Sequence, residues 1–173
     1  MAEHAWRIAP LAAEHTRSLA ECHIACWREA YRDLVPQHVL AAFDVDRRAD
    51  GWERIRVRHP GSTVVALVAD TVVGFAGAGP PGDETPVTAW ELSAMYVRAT
   101  WYGSGLAHDL MRAVLRPDTD TSLWVFEDNP RAQAFYRKYG FELDGTRRVE
   151  DFTPAMQVRM IRRRAPVALT RRR

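Results

Sequence analysis

ELSAMYVRATWYGSGLAHDLMRAVL, residues 91–115, reads as a strand, a glycine-bearing loop and an amphipathic helix in succession. Residues 91–97 mix β-branched, aromatic and aliphatic side chains with no helix breaker, which suits a buried or half-buried strand. From Gly105 onward, Leu106, Ala107, Leu110, Met111, Val114 and Leu115 form one helical stripe, with His108, Asp109 and Arg112 on the other side. Pro117 marks the stop. Between the two elements lies Tyr102-Gly103-Ser104-Gly105. Glycine lets the backbone come close to a ligand, and the first amides of a helix have no intrahelical acceptor. With the positive end of the helix dipole, such amides suit a phosphate or diphosphate; the same glycines also serve a plain tight turn.

Neighbouring glycine motifs do not fit. A dinucleotide fingerprint needs a third small residue three positions after Gly105, where His108 stands. A P-loop needs Lys followed by Ser or Thr, which this loop lacks. A nucleophile elbow centred on Ser104 would need glycines where the chain has Tyr102 and Leu106.

Composition narrows the class. A chain of 173 residues, 47% hydrophobic and 27% charged, buries a substantial core without staples, and one domain is the default. The polar start MAEHAWRIAP is no secretory signal, and no apolar run approaches a membrane span, so a cytoplasmic protein with no membrane partner is expected. A net charge of +2 does not argue for nucleic acid. Nine arginines lie from Arg147 onward against Glu150 and Asp151, and the end Arg171-Arg172-Arg173 reads as a solvated, frayed tail rather than a polyanion contact. Cys22 and Cys26 lie four apart on an expected helix beside His23. Packing thiols explain that spacing better than a metal site, which needs further ligands, so no metal is expected.

Along the chain, residues 6–9 suggest a first strand and 14–32 a helix with Leu19, Cys22, His23, Cys26, Trp27, Ala30 and Tyr31 on one face. Pro36 opens a helical turn, and Asp46 caps a further helix that ends near His59-Pro60-Gly61. Residues 63–68 and 72–78 form a hairpin, and 77–85 a Gly- and Pro-rich loop. Leu123-Trp124-Val125-Phe126 is apolar on both faces, as an inner strand is. Asn129 suits a helix N-cap, Pro130 the first helical position, and Gly140 the stop. Residues 141–147 and 155–162 close the chain as strands. The order is that of an α+β, mixed α/β chain: a domain over 1–164 and a basic tail at 165–173.

Three segments resemble the GCN5-related N-acetyltransferases. The run from Met95-Tyr96-Val97 through Tyr102-Gly103-Ser104-Gly105-Leu106-Ala107 is similar to the family's acetyl-CoA motif, Gln/Arg-x-x-Gly-x-Gly/Ala. Asn129-Pro130-Arg131-Ala132-Gln133-Ala134-Phe135-Tyr136-Arg137-Lys138-Tyr139-Gly140-Phe141 is similar to its second motif, Asn-x-x-Ala-x-x-Phe-Tyr-x-x-x-Gly-Phe. Cys26-Trp27-Arg28-Glu29-Ala30-Tyr31 resembles an early pattern of bacterial members. Two departures stand out: Tyr102 replaces the family's Gln or Arg, and Ala99 its common Pro.

The resemblance implies a central, mostly antiparallel sheet of six to seven strands with about four helices. It also implies acetyl transfer from acetyl-CoA to a primary amine, on a small molecule or a peptide, by direct attack in a ternary complex. On that reading Met95, Tyr96 and Val97 run beside the pantetheine arm, while Tyr102, Gly103, Ser104, Gly105, Leu106 and Ala107 hold the diphosphate. Asn129 and Ala132 meet the cofactor, Asn129 also capping its helix. Glu91 is the base, directly or through water, and Tyr136 sits at the general-acid position. A phenol near ~10 is a weaker acid than a thiol near ~8.5, so a hydrogen bond to the departing sulfur describes Tyr136 better than full proton transfer. Trp27, Tyr31 and Trp90 are candidates for the acceptor wall, and Glu29 or Asp33 for attracting a cationic amine. A homodimer is left open. A different reading is a non-catalytic acyl-CoA-binding or sensor domain.

Overall fold

The computed structural model describes residues 6–164; the tail at 165–173, expected to fray, lies outside the described residues. Within them the chain forms β1 (Arg7–Pro10), α1 (Thr16–Ala30), α2 (Gln37–Ala41), α3 (Val45–Arg58), β2 (Thr63–Val68), β3 (Thr71–Gly79), β4 (Trp90–Val97), α4 (Leu106–Val114), β5 (Thr121–Phe126), α5 (Pro130–Arg137), β6 (Glu142–Val149) and β7 (Met156–Arg162). The seven strands make one sheet in the order β1-β2-β3-β4-β5-β7-β6. Neighbours are antiparallel except β4 and β5, which run parallel. The mixed, mostly antiparallel sheet matches the α+β expectation, with five α-helices rather than about four. No helix among the described residues is long and apolar enough to cross a membrane.

Alternation along β2 distributes the core. Val65 and Leu67 join Leu19, Cys22, Trp52 and Phe75 under α1 and α3. Ala66, of opposite parity, joins Val73, Val97, Leu106 and Leu110 under α4. A third cluster packs Tyr136 of α5 and Phe141 on Leu123, Val125, Val158 and Met160. α4 lies very close to the sheet at Gly74, where an added Cβ would stand 2.9 Å from Leu106 Cδ2 and 3.0 Å from the Tyr96 carbonyl oxygen. Glycine there lets helix and sheet approach, which fixes where the helix begins.

Several boundaries differ from the sequence expectation. β3 continues through Gly79, so residues 77–79 are strand: Gly77, Ala78 and Gly79 pair with Ala94, Leu92 and Glu91. The step from Ala94 to Leu92 leaves Ser93 as an extra residue, a β-bulge in β4. The cap of α3 is Asp44, whose side chain accepts from the Arg47 N–H at 2.8 Å. Asp46 instead sits in the first helical turn and pairs with Arg17. A 3-10 turn, Ala13–His15, precedes α1, which shortens the helix expected at 14–32. β1 ends on Pro10, tolerated because β1 is an edge strand.

Candidate active site

β4 and β5 pair at only three positions: Trp90 with Thr121, Glu91 with Ser122, and Leu92 with Leu123. The bulge at Ser93 follows at once, and the strands then part. A cleft of about 700 Å³ opens there, with residues 93–97 of β4 on one side and Trp124 and Val125 of β5 on the other. Parted strands leave backbone donors and acceptors of β4 facing the cleft, ready for an extended ligand.

The cleft's outer end is the glycine loop. After the 3-10 turn Ala99–Trp101, Gly103 and Gly105 adopt φ of 76° and 96°, left-handed values that suit glycine. Ser104 Oγ donates to the Trp101 carbonyl at 2.7 Å and accepts from the Leu106 N–H at 3.3 Å, so it braces the turn. Among the described residues the amides of Gly103, Gly105 and Ala107 have no intramolecular acceptor, and they lie at the start of α4. Such backbone geometry suits an anion. The loop is anchored from α1: Glu29 accepts from Arg98 Nε at 2.9 Å and from the Ala99 amide at 2.8 Å. Glu29 is therefore neutralised by the loop's own root and is not a free partner for a cationic amine.

α5 closes the cleft's other wall. Asn129 caps it, its Oδ1 accepting from the Ala132 N–H at 3.2 Å, with Pro130 in the first turn. Gln133 Nε2 donates to the carbonyls of Phe126 and Glu127 and fastens the helix to the end of β5. Tyr136 thereby reaches into the cleft, buried against Phe135 and Phe141. Burial pushes its phenol well above the ordinary range, with a smaller contribution from Tyr96. Burial likewise raises Tyr31 and Tyr96, whose hydroxyls meet at 3.4 Å. Three protonated phenols thus line the inner cleft, the Tyr31 hydroxyl donating to that of Tyr96.

Glu91 is half-buried at the last parallel pairs, beside the cleft rather than among its lining residues. Burial raises its carboxyl above the usual value and Asp83 adds to this, while Arg148 opposes it. A raised carboxylate is a better proton acceptor than a solvated one.

Of the residues marked from sequence, Tyr31, Met95, Tyr96, Val97, Tyr102, Gly103, Gly105, Ala107, Asn129, Ala132 and Tyr136 line the cleft together. Leu106 is fully buried under α4, where it packs in the core. Trp27 stands behind Tyr31, packed edge-on to it and to Phe43. Trp90 lies elsewhere: its Nε1 donates to the Val114 carbonyl at 3.4 Å, and the Arg116 guanidinium covers its ring at 3.5 Å. Sequence reasoning missed His108, Trp124, Arg131 and Lys138, all of which line the cleft. Arg131 and Lys138 lie within the second motif; His108 and Trp124 carry no local signal.

The acetyltransferase (GNAT) family matches residues 18–141. A protein of Mycobacterium tuberculosis (strain ATCC 25618 / H37Rv) named as an uncharacterized N-acetyltransferase is 30% identical over 119 residues, 66% of this chain and 74% of that protein. A second protein named as an uncharacterized N-acetyltransferase, from Bacillus subtilis (strain 168), is 25% identical over 147 residues, 78% of this chain and 83% of that protein. In fold, the chain is similar to the PaiA N-acetyltransferase of Thermoplasma acidophilum, solved in complex with coenzyme A. The TM-score is 0.67 at 16% identity, over 91% of this chain and 98% of that one. This chain belongs to the acetyltransferase (GNAT) family. It is an acetyl-CoA-dependent acyltransferase.

Proposed function

We propose that the protein moves the acetyl group of acetyl-CoA to a primary amine by direct attack within a ternary complex. The observation that carries this reading is the single cleft that joins the unpaired amides of the glycine loop to the Tyr136 hydroxyl. The diphosphate sits on the amides of Gly103, Gly105 and Ala107, and the pantetheine arm lies along residues 95–97, adding a strand's worth of hydrogen bonds. Asn129 and Ala132 border the arm, and the thioester reaches the tyrosine cluster.

A primary amine is mostly protonated at neutral pH (near ~10.4) and has no lone pair to offer until a proton leaves. Glu91, beside the cleft and raised by burial, takes that proton through a water. The amine nitrogen then attacks the thioester carbonyl carbon. As the tetrahedral species collapses the C–S bond breaks and the electron pair leaves on sulfur, while the second proton on nitrogen passes to solvent through the same water, so that a neutral amide forms. Tyr136 keeps its own proton and donates a hydrogen bond that tightens as charge gathers on that sulfur. The acceptor enters on the side of Tyr31 and Trp124.

The test is an assay of free CoA thiol over a panel of amines. Glu91→Gln and Tyr136→Phe are each expected to lower kcat by about ten- to a thousand-fold with CoA affinity within about threefold of the parent. Wild-type rates in both variants would remove both role assignments.

A further inference from the structure

We propose that Arg131, held over the ring of Tyr102, supplies the cation that the diphosphate loop itself lacks. This rests on the cofactor reading above. Residues 98–105 contain one cation, Arg98, whose Nε and Nη2 both lie 2.9 Å from Glu29 Oε1. That charge is spent on anchoring the loop. The free amides of Gly103, Gly105 and Ala107 offer partial charges only, roughly half a unit from the helix end, against two on a diphosphate.

Arg131 comes from the first turn of α5, on the opposite wall. Its Cζ lies 3.4 Å from the centroid of the Tyr102 ring, and both residues line the cleft. Among the described residues Arg131 has no acidic partner. An aromatic face holds a guanidinium by its plane, while its N–H groups hydrogen-bond outward in that plane, so stacking leaves the whole fork available to phosphate oxygens. Tyr102 is 40% exposed, which makes its ring a platform at the cleft rim rather than a core group. Lys138, the chain's one lysine, also lines the cleft, but seven residues along α5 places it roughly 10 Å further on, out of reach of the same phosphates. The pair Tyr102–Arg131 therefore moves the cofactor's counter-charge from the loop to α5 and clamps the cleft from both walls.

The experiment is calorimetric titration of the full chain with CoA and, in parallel, with 3′-dephospho-CoA. Arg131→Ala is expected to weaken both ligands alike, by about ten-fold or more. Tyr102→Ala should weaken both by a smaller factor, because the guanidinium loses its platform but not its charge. The double variant Tyr102→Arg, Arg131→Ala, with the cation returned to the loop, should recover most of the loss. An unchanged Kd in Arg131→Ala would overturn the assignment. So would a loss confined to CoA, which would place Arg131 on the 3′-phosphate, or no recovery in a double variant with wild-type circular dichroism. Absence of CoA binding by the wild type would overturn the cofactor reading as well, so the two failures are distinguishable.

Discussion

Glu29 carries its charge to the root of the glycine loop, where both carboxylate oxygens are engaged by Arg98 and the Ala99 amide. With Glu29 occupied there, the carboxylate proposed above as the base is Glu91, beside the cleft. Its neighbours set its working range: burial and Asp83 raise it, Arg148 lowers it. A base acts only when ionised, so the acid limb of the kcat/KM profile should fall at a pH above that of an ordinary carboxylate. Replacing Arg148 removes the opposing charge, and Arg148→Gln should move that limb to higher pH. Asp83→Asn removes a like charge and should move it to lower pH. Profiles that stay superimposed for all three proteins would separate Glu91 from the rate.

At the level of elements, the site depends on how closely α4 lies on β3. Gly74 has no side chain, and the Cβ of any other residue would meet Leu106 and Leu110 of the helix and the Tyr96 carbonyl of the strand, all within 3.2 Å. Gly74→Ala should push α4 outward and cost about 1–3 kcal/mol of stability, read from denaturant midpoints. The same shift moves the amides of Gly105 and Ala107 away from the diphosphate, so CoA should bind several-fold more weakly. Gly79, with nothing within 4 Å of an added Cβ, is the control: Gly79→Ala should change neither quantity by much. Equal effects at the two positions would mean that the helix's approach does not govern the loop.

Across the molecule, the cleft rests on an aromatic wall built around a buried histidine. His23 of α1 packs against Trp27, Trp52, Phe75 and Tyr96. Burial, aided by the charge of Arg48, lowers its pKa from 6.5 to about 3. The folded protein keeps the ring neutral, whereas the unfolded chain takes up a proton below about 6.5. Stability from this residue is therefore full above pH 6.5 and is lost progressively as pH falls towards 3. At pH 5 the loss is about 2 kcal/mol, from 1.36 kcal/mol per unit over about 1.5 units. His23→Leu should flatten the fall in Tm between pH 7.5 and pH 5, as followed by circular dichroism. A variant with the same slope as the parent would show that other groups carry the acid sensitivity.

The elements were legible in the sequence because their signals are local. Asn129-Pro130 starts α5, the stripe from Leu106 to Val114 makes α4, and the β-branched runs make β2 and β3. Part of the cleft lining was legible too, because the glycine loop and the second motif are contiguous segments. Where sequence reasoning stopped short, the deciding contact joins distant segments. Gly79 looked like loop until β4 paired with it, and Trp90 looked like an acceptor wall until Arg116 covered it. Glu29 looked available until Arg98, 69 positions away, bound it.

By itself, then, the sequence determined the succession of strands and helices, the glycine loop between two of them and the resemblance to the family, since periodicity, capping and motif spacing act within a few residues. The tertiary structure alone decided where β4 and β5 separate, which phenols gather in the gap, that Glu91 stands beside the cleft, and that Tyr102 meets Arg131. Those outcomes depend on packing between surfaces far apart in the chain, and the energy of such contacts is not written in the local pattern of either partner.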